Sequence, residues 1–301
     1  MDERRGRLTR DGIRIYDTAD FAGMRAAGQV AARILDEIAP HVFVGQTTAE
    51  IDRLITEMVA ASGAVSATIG YKGYQHASCI SVNHVVCHGI PGEKIPLART
   101  ETISKNVEKR RPNDALLDGD ILNIDVTVIF DGWYGDTSRM YKAGDIGGKT
   151  PKADEVQKPS KVERLIQVTY DALMLGIAAV KPGNTFGDIG HAIQSEVEAS
   201  GMSVVRDFCG HGLGRVFHAP PNVLHYGRAG TGPRLEEGMF FTIEPMVNLG
   251  RPETKVLADD WTAVTRDKSL SAQFEHSVGV TADGAEIFTL SPAGKFHPTW
   301  G

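Results

Sequence analysis

The chain has 301 residues, 42% hydrophobic and 23% charged, with 33 Gly and 14 Pro, the composition of an ordinary soluble domain with material for a sizeable core. A net charge of −6 gives the whole molecule no electrostatic pull toward DNA or an anionic membrane, and no apolar run approaches the ~18 residues of a membrane helix. Three widely separated cysteines, Cys79, Cys87 and Cys209, make neither a disulfide framework nor a zinc knuckle and suit a reducing, cytoplasmic setting.

Residues 1–14 begin MDERRGRLTR, charged like a secretory leader but followed by no apolar stretch, and are expected as a flexible N-terminal extension. A helix is expected over 20–39, stopped by Pro40. Residues 45–63 read GQTTAEIDRLITEMVAASG, a helix opened by a Thr-x-x-Glu cap and closed by a glycine. Residues 93–118 are polar and mixed in charge and read as an inserted loop. ILNIDVTVIF (121–130) is a strand, and Asp131-Gly132 is a strong hairpin signal. A second polar insert covers 144–161, and a helix over 162–180 ends before Pro182-Gly183.

At this point the chain repeats itself. Residues 183–201, GNTFGDIGHAIQSEVEASG, match 45–63 from Gly45 to Gly183, an offset of 138, with Thr, Ile, Val and Ala-Ser-Gly recurring in step. Strands are expected over 239–244 and 273–281, and a tail over 291–301. The expected fold is α+β, with two pseudo-two-fold halves of about 20–140 and 162–285, antiparallel sheet and covering helices. Together they read as one domain, and the cleft between the halves is a natural ligand site.

Carboxylates stand where core strands should carry none. Asp125 lies in the middle of ILNIDVTVIF. With a two-residue turn, Phe130 faces Trp133, Asp125 faces Ser138 and Thr127 faces Asp136, so Asp125 and Asp136 are diagonal neighbours ~7–8 Å apart at Cα. Unpaired carboxylates that close are costly to desolvate. Glu244 closes MFFTIE, Glu275 lies inside QFEHSVGV, and His211 is flanked by glycines in CGHGLG. Four carboxylates and one imidazole suit a pair of divalent ions, Mn, Fe, Co or Zn, better than a closed structural zinc site. Two such ions ~3.5–4 Å apart serve metal-assisted hydrolysis.

NHVVCHGIP (83–91), NIDVTVIFDGWYGDTS (123–138), CGHGLGRVFHAPPNVLHY (209–226), FTIEPMVN (241–248) and SAQFEH (271–276) resemble, in order and spacing, the signature segments of the type I methionine aminopeptidases, M24 metallopeptidases of pita-bread fold. The resemblance covers roughly residues 15–290. It implies that Asp125, Asp136, His211, Glu244 and Glu275 hold two divalent ions, with Asp136 and Glu275 bridging. It implies that Glu244 accepts a proton from the attacking water or hydroxide, that His88 contacts the first peptide link and that His218 hydrogen-bonds the scissile carbonyl. Tyr71, Tyr74, Cys79, Phe217 and Trp261 match a methionine slot, and Asn83, Val85 and Ser271 match a monovalent-cation site.

The implied substrate is the N-terminal methionine of nascent proteins, with a small second residue preferred, and the implied state is a monomer. Lys72 stands where many bacterial relatives carry His. Six basic residues (Lys94, Arg99, Lys105, Lys109, Arg110 and Arg111) suggest that the first insert associates with the ribosome through RNA phosphate. The alternatives are an X-Pro peptidase of the same fold and a non-catalytic binding member of it.

Overall fold

The computed structural model describes residues 6–96, 113–144 and 159–295. Most of both polar inserts, the first five residues and the end of the expected tail lie outside the described residues. The remainder of the expected N-terminal extension is not loose. Arg7–Leu8 pairs antiparallel with Arg14–Ile15, because Ile13 and Ile15 are buried in the core. The start of the expected tail is pinned too, by Ser291 Oγ donating to the Asp36 carboxylate at 2.8 Å.

The first helix, Asp20–Ile38, buries Phe21, Met24, Ala27, Ala31, Ile34, Leu35 and Ile38, a stripe at the spacing of one helical face. Asp17 and Asp20 cap it reciprocally, Asp17 N–H donating to Asp20 Oδ2 and Asp20 N–H to Asp17 Oδ1. The second helix, Thr48–Ala61, is capped by Thr47, whose hydroxyl accepts from Glu50 N–H at 3.2 Å. The third and fourth are Lys161–Ala178 and Phe186–Ala199. All four agree with the expected helices to within three residues.

The internal repeat extends from sequence into hydrogen bonding. Gly45 N–H donates to Leu116 O and Leu116 N–H to Gln46 O; in the second half Gly183 N–H donates to Leu235 O and Leu235 N–H to Asn184 O. Thr47 bridges Ala115, and Thr185 bridges Arg234. Each half therefore ties its second helix to the segment entering its main strand. One apolar core lies under the helices of the first half, around Ile34, Ile51, Leu122 and Ile124. Another lies in the second half, around Leu165, Ile189, Phe241 and Val278. Tyr16, Phe21, Trp133, Phe240 and Phe288 form an aromatic cluster drawn from both halves.

Every strand pair among the described residues is antiparallel. In the first half Asp120–Phe130 pairs with Cys79–Val82, Val65–Ser66 and Trp133–Ala143. The hairpin register is the expected one, Phe130 opposite Trp133 and Asp125 opposite Ser138. In the second half the order is Ala219–Val223, Gly210–Gly212, Phe240–Ile243, His276–Val280, Ala285–Ile287.

The expected single strand 273–281 is two strands. Ser271–Gln273 pairs with Met246–Asn248 in a separate sheet, and His276–Val280 pairs with Phe240–Ile243. The ladder keeps one register on both sides of a gap at Glu244-Pro245 and Phe274-Glu275, where both strands pass from one sheet to the other. Pro245 has no N–H to offer a ladder, which makes that position a natural place for the break.

Candidate metal centre

The site lies where the two halves meet. Ser138, opposite Asp125 in the first hairpin, also bridges Glu275, whose N–H donates to Ser138 O at 3.1 Å. Continuing the register across the gap puts Glu244 opposite Glu275. Asp125, Ser138, Glu275 and Glu244 thus form one row across both halves. A neighbouring row holds Thr127, Asp136, Ser277 and Thr242: Thr127 is opposite Asp136, and Ser277 is opposite Thr242. Between them Asp136 N–H donates to Ser277 Oγ at 3.3 Å, and Ser277 Oγ donates to Asp136 O at 2.6 Å.

Side chains of the second row aim the acids. Thr127 Oγ1 donates to Asp136 Oδ1 at 2.7 Å, and Thr242 Oγ1 donates to Glu244 Oε1 at 2.7 Å. Thr242 Oγ1 also accepts from His211 N–H at 3.0 Å. A carbonyl can only accept, so the 3.2 Å contact of His211 Nδ1 with Gly212 O places the proton on Nδ1 and leaves Nε2 as the ligand atom. That nitrogen lies 3.4 Å from Asp136 Oδ2 and 3.8 Å from Glu244 Oε1. One ligand atom each from Asp136, His211 and Glu275 falls within 4.8 Å of the others.

The residues fit a cationic group. Asp136 and Glu275 are only 4% and 3% exposed, and Asp125 Oδ1 is buried with no hydrogen-bond partner. Burial, reinforced by the charges of Asp136 and Glu244, pushes the Asp125 carboxyl well above the ordinary range. Burial and the Asp136 charge do the same to Glu275. Burial raises Glu244 to about 7 against the opposing pull of His211 and Thr242. Burial works against protonation of His211, yet the Asp136 hydrogen bond and the Glu244 and Asp136 charges together raise its pKa. Such a cluster is short of positive charge, which divalent ions supply.

Around it stand two aromatic groups. Phe217, Tyr71 and His218 lie together, with Tyr71 to Phe217 at 4.9 Å and Tyr71 stacked on His218 at 5.2 Å between ring centroids. The His218 ring is 4.1 Å from that of His211. Tyr74, Trp261 and His88 form the other group, with Tyr74 to Trp261 at 4.9 Å and His88 to Trp261 at 6.1 Å. Cys79 pairs with Asp125, and burial and the Asp125 charge hold its thiol protonated. Desolvation and nearby cations push His218 down to about 4 and lower His88, so both rings are neutral at pH 7.

Asn83 and Ser271 are also adjacent, Ser271 N–H donating to Asn83 O at 2.9 Å. The Asn83 amide, however, is taken by Asp120 Oδ1 and Ile121 N–H.

The sequence profile of metallopeptidase family M24 matches residues 22–282. The chain belongs to that family. It is 52% identical over 289 residues to the methionine aminopeptidase of Rickettsia prowazekii, covering 96% of this chain and 99% of that one. The crystal structure of the Rickettsia prowazekii methionine aminopeptidase superposes with a TM-score of 0.80 at 51% identity, over 92% of this M24 chain and 100% of the other. X-Pro aminopeptidase from Thermotoga maritima superposes with a TM-score of 0.62 at 17% identity, over 91% of this chain and 61% of that one, a likeness of fold alone. The architecture is the pita-bread fold of M24 peptidases.

Of the residues that support this M24 site, only Thr127 is paired with its acid, Asp136, by the sequence pattern. Thr127 and Thr242 are each two positions from an acid on the same strand face, Asp125-x-Thr127 and Thr242-x-Glu244, a period-two signal that was available. His225, which accepts from Glu244 N–H at 3.1 Å, carries no such signal, because it reaches the site from the bend that follows the strand Ala219–Val223. Tyr134, stacked on Phe217 at 5.5 Å, and Phe208, edge-on to His88 at 5.5 Å, complete the surround.

Proposed function

We propose that this chain hydrolyses the N-terminal methionine from peptides and nascent proteins, preferring a small second residue, with two divalent ions held by Asp125, Asp136, His211, Glu244 and Glu275. The observation that carries the reading is the convergence of four buried or half-buried carboxylates on one imidazole, three of them pushed toward protonation where no cation neutralises them. The whole-length likeness to methionine aminopeptidases names the substrate, and the 17% likeness to an X-Pro enzyme gives no comparable support to that alternative.

Bound divalent ions would supply the Lewis-acid charge that activates water and polarises the scissile carbonyl. The protein's own groups do the rest. Thr242 holds Glu244 Oε1 at 2.7 Å, and Oε2, more loosely held by the Gln273 amide at 3.4 Å, takes the proton of the attacking water and passes it to the leaving amine. Neutral His218 donates its N–H to the scissile carbonyl, and neutral His88 to the first peptide link. Tyr71, Tyr74, Cys79, Phe217 and Trp261 enclose the unbranched thioether chain, where sulfur–aromatic contacts add ~0.3–1.5 kcal/mol each. A slot of that kind leaves room only for a small residue after methionine.

The remaining parts of the proposal are one catalytic domain over 15–290, a cytoplasmic monomer, and ribosome association through the first insert. Of its basic residues Arg99, Lys105, Lys109, Arg110 and Arg111 lie outside the described residues. Ribosome cosedimentation unchanged by deleting 99–111 would remove that last part.

The decisive experiment assays Met-Ala-Ser after chelation, adding back Mn, Co, Fe or Zn singly. Metal-dependent release of methionine is the expected result. A folded protein that releases none with any metal would overturn the reading in favour of a binding role.

A further inference from the structure

The break in the second-half ladder leaves a backbone donor that strand pairing does not use. Pairing ends at Ile243 opposite His276 and resumes at Met246 opposite Gln273. Pro245 in the gap has no N–H, while Glu244 has one. That N–H is taken by a side chain, His225 Nε2, at 3.1 Å. A ring nitrogen that accepts a hydrogen bond carries no proton, so the ring is neutral with its proton on Nδ1.

His225 is 0% exposed, and its Nδ1 has no hydrogen-bond partner. A leucine would fill the same space without an unsatisfied buried donor, which is costly to desolvate. Packing therefore does not explain the imidazole. The acceptor does.

The ring is also held from behind. The segment 224–226 lies against the helix Phe186–Ala199 at Gly190, where an added Cβ would meet Tyr226 O at 2.4 Å and Leu224 O at 2.8 Å. Gly227 N–H donates to Gln194 Oε1 on the same helix at 3.0 Å. A chain of contacts thus runs from helix to segment, to imidazole, to the backbone of Glu244. The Glu244 carboxylate is fixed by Thr242 at 2.7 Å, the Gln273 amide reaches its Oε2 and its main-chain carbonyl only at 3.4 and 3.5 Å, and its main-chain N–H is fixed by His225.

We propose that His225 is a positioning residue for Glu244, holding the backbone of the strand break so that the carboxylate stays beside Asp136 and His211. In this way it sets both the affinity of the site for divalent ions and the rate of methionine release. The proposal rests on the reading of Glu244 as a ligand and proton carrier.

The test compares His225→Gln, His225→Asn and His225→Leu. Gln carries its amide oxygen near the position of Nε2 and can still accept from Glu244 N–H; Asn carries its oxygen near Nδ1 and cannot. Three readouts are taken on the full-length protein: kcat and KM on Met-Ala-Ser amide, Mn affinity by calorimetry, and nitrogen–nitrogen coupling across the Glu244–His225 hydrogen bond by NMR. The native protein is expected to show the coupling. His225→Asn and His225→Leu are expected to lose about 10- to 100-fold in kcat and in Mn affinity, the usual effect of removing a group that orients a ligand, with KM within about twofold. His225→Gln is expected to stay within about threefold of native in both.

Equal losses in the Gln and Asn variants would assign His225 to packing and overturn the proposal, as would native kcat and Mn affinity in the Asn variant. Should His225→Leu fail to fold, the Gln and Asn pair carries the test alone. If native protein releases no methionine, the functional reading fails, and Mn affinity and the coupling still decide whether His225 positions Glu244.

Discussion

The two halves each bring a pair of acids to the centre and hold them by different means. Asp125 and Asp136 sit within an unbroken hairpin ladder, Asp120–Phe130 against Trp133–Ala143, as diagonal neighbours. Glu244 and Glu275 sit opposite each other in a gap where two strands change sheets. In the first half the ladder satisfies the backbone, and a single hydroxyl, Thr127, aims Asp136. In the second the gap frees two backbone donors, which find His225 Nε2 and Ser138 O. An acid in a continuous strand is placed by its neighbours in sequence, whereas an acid in a break is placed by groups from elsewhere in the chain.

Asp136 bridges these two modes, contacting Thr127 on one side and Ser277 and His211 on the other. Its removal is expected to give the largest effect. Asp136→Ala should cut methionine release by roughly 10³ or more, equivalent to ~4 kcal/mol of transition-state stabilisation, and should weaken metal retention after gel filtration. Retention of full activity would mean that the two halves do not share this acid.

The hydroxyls test the difference between the halves directly. Thr242 serves two ligands, Glu244 through Oε1 and His211 through its N–H, while Thr127 serves Asp136 alone. Thr242→Val is expected to lower Mn affinity and kcat by about 10- to 100-fold, with Thr127→Val at the low end of that range. Equal losses would show that the broken half needs no more support than the continuous one.

This contrast also explains what was legible in the sequence. The first hairpin could be read residue by residue, because Asp131-Gly132 sets the turn and alternation then places Asp125 opposite Ser138. The helices were legible through their caps and the repeat, since local hydrogen bonds decide both. The second pair was visible only as misplaced acids in apolar runs. QFEHSVGV reads as one strand because β-propensity is blind to a change of partner sheet, so the gap at Phe274-Glu275 went unseen. His225 is 19 residues from Glu244, and nothing in local patterning links a histidine to a donor that exists only because a ladder stops.

Proton linkage gives a smaller effect. In metal-free protein Glu244 is raised from 4.5 to about 7, chiefly by burial. Its folded-state pKa lies above the unfolded one, so the folded state keeps a proton that the unfolded chain releases between those values. Stability therefore falls as pH rises through this window.

Glu244→Gln has no such proton. Chelated Glu244→Gln is expected to be more stable than its parent above pH 7, with the difference vanishing below about pH 4.5, as read from urea midpoints. His225 and His276, pushed down to about 3 by burial, lower the acid stability of both proteins and cancel in the comparison. Saturating Mn should reverse the order by favouring the parent, because a ligand that binds only the folded state stabilises it. A difference that does not change with pH would mean that burial does not charge-couple this acid to the fold.

The smallest expected effects come from the helix caps, where the repeat is closest in sequence and the halves still diverge. Thr47 Oγ1 accepts from Glu50 N–H, but the Glu50 carboxylate turns outward to Arg53. In the second half the Asp188 carboxylate turns inward, accepting from Thr185 N–H at 2.7 Å, from Thr185 Oγ1 at 2.8 Å and from Gly230 N–H at 3.0 Å. The Thr185 bonds hold the Asp188 carboxyl below its ordinary value, so its contribution is present above the unfolded carboxylate range and is lost as pH falls. Asp188→Ala is expected to lower stability by about 1 kcal/mol at pH 7, the size of a lost cap, and Glu50→Ala to leave the urea midpoint within experimental scatter. Both variants should release methionine at the native rate, because neither carboxylate contacts the metal cluster. If the two substitutions destabilised equally, the matching sequence, not the divergent hydrogen bonding, would be what governs these helix starts.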